Sequence, residues 1–181
     1  GRVVAVKATF SFALGDLTNV RALPELDGGA LMDVGCYCVS GSRLVAGEPV
    51  SVLADQVTGE TGVDMALYGT MRFAGDVVGQ LEASFLAPER QGLEVVGEAG
   101  VLRVAAPWRV DWGGAMTLER DGSSETVPVE EVNSYRLELE NLADAIEGRA
   151  PALLGRDDAV AQARVIDALY RSAATGASVS V

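Results

Sequence analysis

The sequence predicts an α+β fold: an open, mostly antiparallel mixed sheet of about six strands, helices packed on one face, and the other face free for self-association. Three observations carry this. Residues 2–14 and the stretch from Val50 to about Val129 alternate apolar and polar residues with a period of two, the mark of half-buried strands. Two stretches near the end, from Ser134 and from Asp157, repeat apolar residues at helical spacing. At 181 residues the chain has the size of one domain with a single substantial core.

In chain order, Val4, Val6, Ala8, Phe10 and Phe12 share one side of the first strand. A loop with Gly15, Asp16, Asn19, Pro24 and Asp27 follows. Gly28-Gly29 leads into a helix read over Ala30–Ala46, with Leu31, Val34, Cys38 and Val45 as its apolar stripe and Gly47 and Pro49 as its stop. Val50–Val57 reads as a strand, and Asp64–Phe73 pairs with Val77–Phe85 across Ala74-Gly75-Asp76. Two more hairpins are Leu93–Val96 with Val101–Ala105, across Gly97-Glu98-Ala99-Gly100, and Met116–Arg120 with Glu125–Val129, across Asp121-Gly122. Ser134 caps a helix running to Ile146, striped by Tyr135, Leu139, Leu142, Ala143 and Ile146, with Gly148 beyond it. The last helix starts at Asp157, carries Val160, Ala163, Arg164, Ile166, Asp167 and Tyr170 at helical spacing, and stops near Thr175-Gly176. Val179–Val181 reads as a short final strand.

Composition excludes several functions. No apolar run approaches the ~20 residues of a membrane span. The net charge is −12, with 26 acids against 14 bases, and Lys7 is the single lysine. Such a chain repels phosphate backbones, so nucleic-acid binding through a basic face is not expected. Histidine is absent, which removes Ser-His-Asp and Cys-His nucleophiles, histidine-based zinc sites and any imidazole proton transfer from within the chain. Cys36 and Cys38 lie two apart, too few ligands for a tetrahedral metal and on different sides of a helix, so both read as free thiols of a reducing compartment. No metal site is expected. The chain opens without methionine, directly into strand residues, and is read as a piece of a longer protein.

Few residues can carry chemistry. Asp33 and Tyr37 are four apart in the first helix and share a face. A carboxylate beside a phenol can bind a hydroxylated ligand and relay a proton. The alternative from spacing alone is a carboxylate complementing the helix dipole and a packed aromatic. No G-x-G-x-x-G loop follows a strand. The neighbouring carboxylates Glu130-Glu131 and Asp157-Asp158 splay apart and read as solvated helix-end charges.

The segment Gly28-Gly29-Ala30-Leu31-Met32-Asp33-Val34-Gly35-Cys36-Tyr37 resembles the G-G-x-L-x-D-x-G-x-[HY] helix of the glucose–fructose oxidoreductase / inositol dehydrogenase (Gfo/Idh/MocA) family. The ending Ala168-Leu169-Tyr170-Arg171-Ser172-Ala173-Ala174-Thr175-Gly176-Ala177-Ser178-Val179 is similar to that family's closing A-L-Y-x-S-A-x-T-G-x-x-V. Between them, Gly62-Val63-Asp64 and Gly97-Glu98-Ala99-Gly100 fit the same register. Tyrosine at position 37 and the loop Asn19-Val20-Arg21 resemble the branch with glucose–fructose oxidoreductase, xylose dehydrogenases and dihydrodiol dehydrogenases.

The resemblance implies a two-domain, NADP- or NAD-dependent oxidoreductase acting on a sugar, polyol or cyclic diol. Residues 1–181 would be its C-terminal catalytic, substrate-binding and oligomerisation domain. The N-terminal Rossmann domain, with the dinucleotide loop and a Glu-Lys-Pro lysine, would lie outside this chain, so no residue here is assigned to the cofactor. Lys7 sits in a strand and does not match that motif. Tyr37 is then the proton-transfer residue, its phenol activated by the missing lysine. Asp33 assists it or binds a substrate hydroxyl, and Arg21 contacts substrate from the loop. Also expected are a homodimer or higher oligomer through the sheet, a cytoplasmic location and, from the alanine, valine and arginine usage, a GC-rich bacterial source. The competing reading is a non-catalytic sensing or self-association module on the same scaffold.

Overall fold

Period-two patterning organises most of the first 130 residues into a single sheet. The structure, a computed structural model, describes residues 1–109, 115–130 and 132–181. Its strands are β1 (Val3–Ser11), β2 (Pro49–Thr58), β3 (Asp64–Phe73), β4 (Val78–Ser84), β5 (Arg90–Gly97), β6 (Gly100–Ala105), β7 (Met116–Arg120), β8 (Ser123–Val127) and β9 (Val179–Ser180). They lie in the order β8-β7-β6-β5-β1-β4-β3-β2-β9. The class is α+β with a mostly antiparallel mixed sheet, as expected, but among the described residues the sheet has nine strands rather than about six. The reason is β1. It pairs parallel with β4 (Ala8 opposite Leu81) and antiparallel with β5 (Ala8 opposite Leu93), joining the β2–β4 meander to the β5–β8 ribbon.

Helix α1 (Cys36–Ala46) packs over β1, β4 and β5, and α3 (Arg156–Thr175) over β2, so both helices cover one face. Between them and the sheet lie Ala8, Leu31, Cys38, Val39, Val52, Leu67, Met71, Leu81, Val165 and Leu169. Among the described residues the other face carries no helix and displays Lys7, Leu53, Tyr68, Glu82, Glu94 and Arg103, with Lys7 bridging to Glu94 at 3.2 Å.

Three details differ from the sequence reading. The buried side of α3 is Val165, Ile166, Ala168, Leu169 and Ser172, whereas Ala163, Arg164 and Asp167 are exposed. Helix α2 (Ser134–Ile146) buries no residue, is capped by Asn133 rather than Ser134, and leaves Leu139 and Ile146 exposed. Asp158 is no solvated charge. Together with Glu48 and Gln162 it holds the buried Arg43 guanidinium, at 2.8–2.9 Å from each, which clamps the end of α1 to α3. Asp157 and Glu130 are exposed, and Glu131 lies outside the described residues.

Candidate active site

The site is built by the way the first helix begins. The expected helix over Ala30–Ala46 is α-helical only from Cys36, and its first turn, Leu31–Gly35, is π-helical, a widening common at functional sites. Its exposed N–H groups need acceptors. Asp64, at the start of β3 and only 4% exposed, accepts from the Leu31 N–H at 2.7 Å and from the Tyr170 hydroxyl at 3.1 Å. Burial raises the Asp64 carboxyl above the ordinary range despite these bonds, and it raises the Tyr170 phenol too, with the Asp64 charge adding to the effect.

The Gly28-Gly29 pair is a spacing device. A Cβ on Gly28 would stand 2.6 Å from the Arg21 carbonyl oxygen, and one on Gly29, where φ is +129°, would stand 2.0 Å from Asp64 Oδ1. The Gly29 N–H donates to the Arg21 carbonyl at 2.9 Å, and the Asp33 N–H to the Gly29 carbonyl at 3.0 Å. The loop and the π-turn are therefore strapped together, and Arg21 Nε reaches Asp33 Oδ2 at 2.7 Å. Asn19 holds the other side of the loop, accepting from the Arg21 N–H at 3.1 Å, and the Arg21 guanidinium lies 5.9 Å from the Phe12 ring centre.

Arg21, Asp33 and Tyr37 line one cavity of about 320 Å³. Its walls also include Phe10, Phe12, Glu89, Trp108, Arg109 and Tyr135. Tyr37 stacks edge-on to Phe10 at 5.6 Å and lies 6.0 Å from Trp108, ring centre to ring centre. Its phenol is raised above the ordinary value, first by burial and then by Cys36, Tyr135, Asp33 and Glu138. Lys7 is on the opposite face of the sheet, paired with Glu94. Cys36 and Cys38 are both free, and burial raises both thiols.

Sequence reasoning singled out three of these residues and missed the rest. Phe10 and Phe12 were visible only as one side of a strand, and Tyr135 as part of a helix stripe. Glu89 and the pair Trp108-Arg109 sit on loops after β4 and β6. A tryptophan and an arginine following Pro107 in a loop were the available signal. Asp64 was visible in the Gly62-Val63-Asp64 register, but its capping of a distant helix was not.

The fold and this cavity match a known class. Residues 1–103 match the GFO/IDH/MocA C-terminal domain model, and the chain belongs to that family. It is 38% identical over 185 residues to D-xylose 1-dehydrogenase (NADP(+)) 2 of Haloferax volcanii, covering 100% of this chain and 57% of that protein. It is 34% identical over 109 residues to a trans-1,2-dihydrobenzene-1,2-diol dehydrogenase of Danio rerio, covering 59% of this chain and 32% of the relative. Among solved structures, the aldose-aldose oxidoreductase from Caulobacter crescentus, complexed with glycerol, superposes with a TM-score of 0.91 at 25% identity, over 100% of this chain and 56% of that one. The chain thus spans a little over half the length of the xylose dehydrogenase and of the aldose-aldose oxidoreductase, and the likeness to xylose and dihydrodiol dehydrogenases read from the motifs holds.

Proposed function

We propose that this chain is the substrate-binding and catalytic half of an NADP- or NAD-dependent oxidoreductase, acting on a carbinol or carbonyl carbon of a sugar, polyol or cyclic diol. The observation that carries the proposal is the convergence of Asp33, Tyr37 and Arg21 on one aromatic-walled cavity. A pocket of this size with a few polar groups suits a small hydroxylated molecule.

The donor set fits the reacting end of such an enzyme. Aromatic rings offer flat surfaces, and carboxylates with a guanidinium offer hydrogen-bond partners for hydroxyls. The sequence contains no glycine-rich phosphate loop, so holding the dinucleotide body is assigned to a further domain of the polypeptide. A nicotinamide, when bound, supplies or accepts the hydride. Tyr37 holds the proton at the substrate oxygen, giving it in reduction and taking it in oxidation. With burial and its neighbours keeping that phenol protonated, the oxidative direction calls for a cation from outside this chain, the role assigned to a lysine of the dinucleotide domain. Asp33, whose Oδ2 is held by Arg21, accepts from a substrate hydroxyl, and Arg21 fixes that carboxylate and the edge of the substrate.

Self-association through the helix-free face belongs to the same proposal. Leu53, Val57 and Tyr68 stand exposed there, unusual on a sheet with no partner. Cytoplasmic residence and a bacterial source complete it, supported by the two free cysteines and by the alanine, valine and arginine usage of the sequence. Among the described residues no helix is long and apolar enough to cross a membrane.

Light scattering and NADP titration of the 181-residue chain test this division of labour. A dimer that does not bind NADP is expected. A monomer, or micromolar NADP binding by this chain alone, contradicts it.

A further inference from the structure

We propose that Trp108 is a specificity-determining wall of the cavity, selecting ring-form over open-chain substrates, and that Gly41 sets where this wall stands. The inference rests on the reading that the cavity holds substrate. Trp108 follows β6 in a loop that turns sharply at Ala106, a non-glycine residue with φ of +50°. The Arg109 N–H closes this turn on the Ala106 carbonyl at 3.3 Å. The chain thereby folds back, and the indole Nε1–H donates to the Thr9 carbonyl of β1 at 3.4 Å.

The far edge of the indole rests on α1. Gly41 lies in the middle of that helix, where glycine is unfavourable, and its φ is not among the positive ones, so backbone geometry does not require it. Space does. A Cβ there would stand 2.6 Å from Trp108 Cη2 and 3.0 Å from Cζ3, with Leu93 Cδ1 at 3.7 Å. Gly41 is buried and does not line the cavity. The ring is thus seated against β1 and α1 and stands 6.0 Å from the Tyr37 ring, with part of its surface left to line the cavity. Rigid aromatic surface is matched by the flat C–H side of a pyranose, while Arg21, Asp33 and Glu89 serve its hydroxyls. An alditol of the same carbon count keeps the hydroxyl configurations at C2–C4 but has an open chain with no fixed flat face, and gains less from the indole.

The test compares aldopyranoses, D-xylose first, with their alditols on the whole protein, reading turnover and calorimetric binding. Trp108→Ala is expected to weaken aldopyranose affinity about ten-fold and alditol affinity by no more than about two-fold, leaving the pH profile of kcat in place. Trp108→Phe, which keeps a ring, recovers part of the loss and covers the case in which the alanine variant does not fold. Gly41→Ala, remote from the ligand, shifts affinity in the same selective direction by displacing the indole. Equal losses for ring and open-chain ligands, or a change in kcat alone, overturn the wall. Selective binding through Trp108 without turnover keeps the wall and sinks the dehydrogenase reading. Turnover with unaltered affinities in the Trp108 variants does the reverse, and failure to bind any ring or chain overturns both.

Discussion

Tyr37→Phe is expected to lower kcat for hydride transfer in the whole protein by roughly 10²- to 10⁴-fold, the contribution typical of a positioned proton-transfer group. That corresponds to about 3–5 kcal/mol of barrier. The substitution removes one hydroxyl and keeps the ring, so the contacts with Phe10 at 5.6 Å and Trp108 at 6.0 Å survive. Folding should change little, because the side chain is 41% exposed and the packing atoms remain. KM should move far less than kcat, since the hydroxyl acts on the oxygen that gains or loses a proton rather than on general binding. The measurement is steady-state kinetics beside a thermal melt. Turnover equal to wild type would remove Tyr37 from the mechanism, whereas equal losses of stability and rate would mark it as a packing residue.

Gly29→Ala carries the largest expected effect on folding. At φ of +129° an alanine is strained, and its Cβ would lie 2.0 Å from Asp64 Oδ1. Asp64 is the acceptor that satisfies the Leu31 N–H and fixes Tyr170 of α3. Relieving the clash means moving a buried carboxylate away from both donors, or opening the bond from the Gly29 N–H to the Arg21 carbonyl. Strain and overpacking together amount to roughly 2–4 kcal/mol, or about 5–15 °C in Tm for a chain of this size. Gly15→Ala is the control, with nothing within 4 Å of the added carbon and no positive φ, and should melt near wild type. A Gly29→Ala protein as stable as the control would contradict the strap that brings Arg21 to Asp33.

The local signals in the sequence were reliable where local geometry decides the structure. Gly75-Asp76 and Asp121-Gly122 take the positive φ angles such residues favour, and hairpins form around both turns, the second with its return strand at Ser123–Val127, two residues earlier than the Glu125–Val129 read from the sequence. The sheet was undercounted because its unity depends on β1 pairing in parallel with β4 and on β9 adding to β2, contacts between distant segments that no alternation reveals. Helix phase failed for α3. Its buried side is defined by Val165, Ile166 and Leu169 against β2; of the stripe read from the sequence Ile166 is buried and Tyr170 partly so, whereas Val160, Ala163, Arg164 and Asp167 face solvent. The apolar stripe of α2 was legible, yet among the described residues nothing buries it.

The site was half legible for the same reason. Asp33 and Tyr37 sit in one short motif, and Arg21 in a loop near it. Glu89 and Trp108 arrive from loops far along the chain, placed by the sheet order rather than by any nearby residue. The Asp64 cap reaches 33 residues back to Leu31, and only the glycine pair beside that helix hinted that something must come close.

The most direct measurement is nicotinamide-linked turnover by the whole protein across aldoses, polyols and cyclic diols, with NADP and NAD in turn, because it asks whether the Tyr37 cavity does chemistry at all. Turnover of at least one such compound, saturable and lost with Tyr37→Phe, is the predicted result. No oxidation or reduction of any of them with either nucleotide would contradict the account and leave the chain a binding or self-association module.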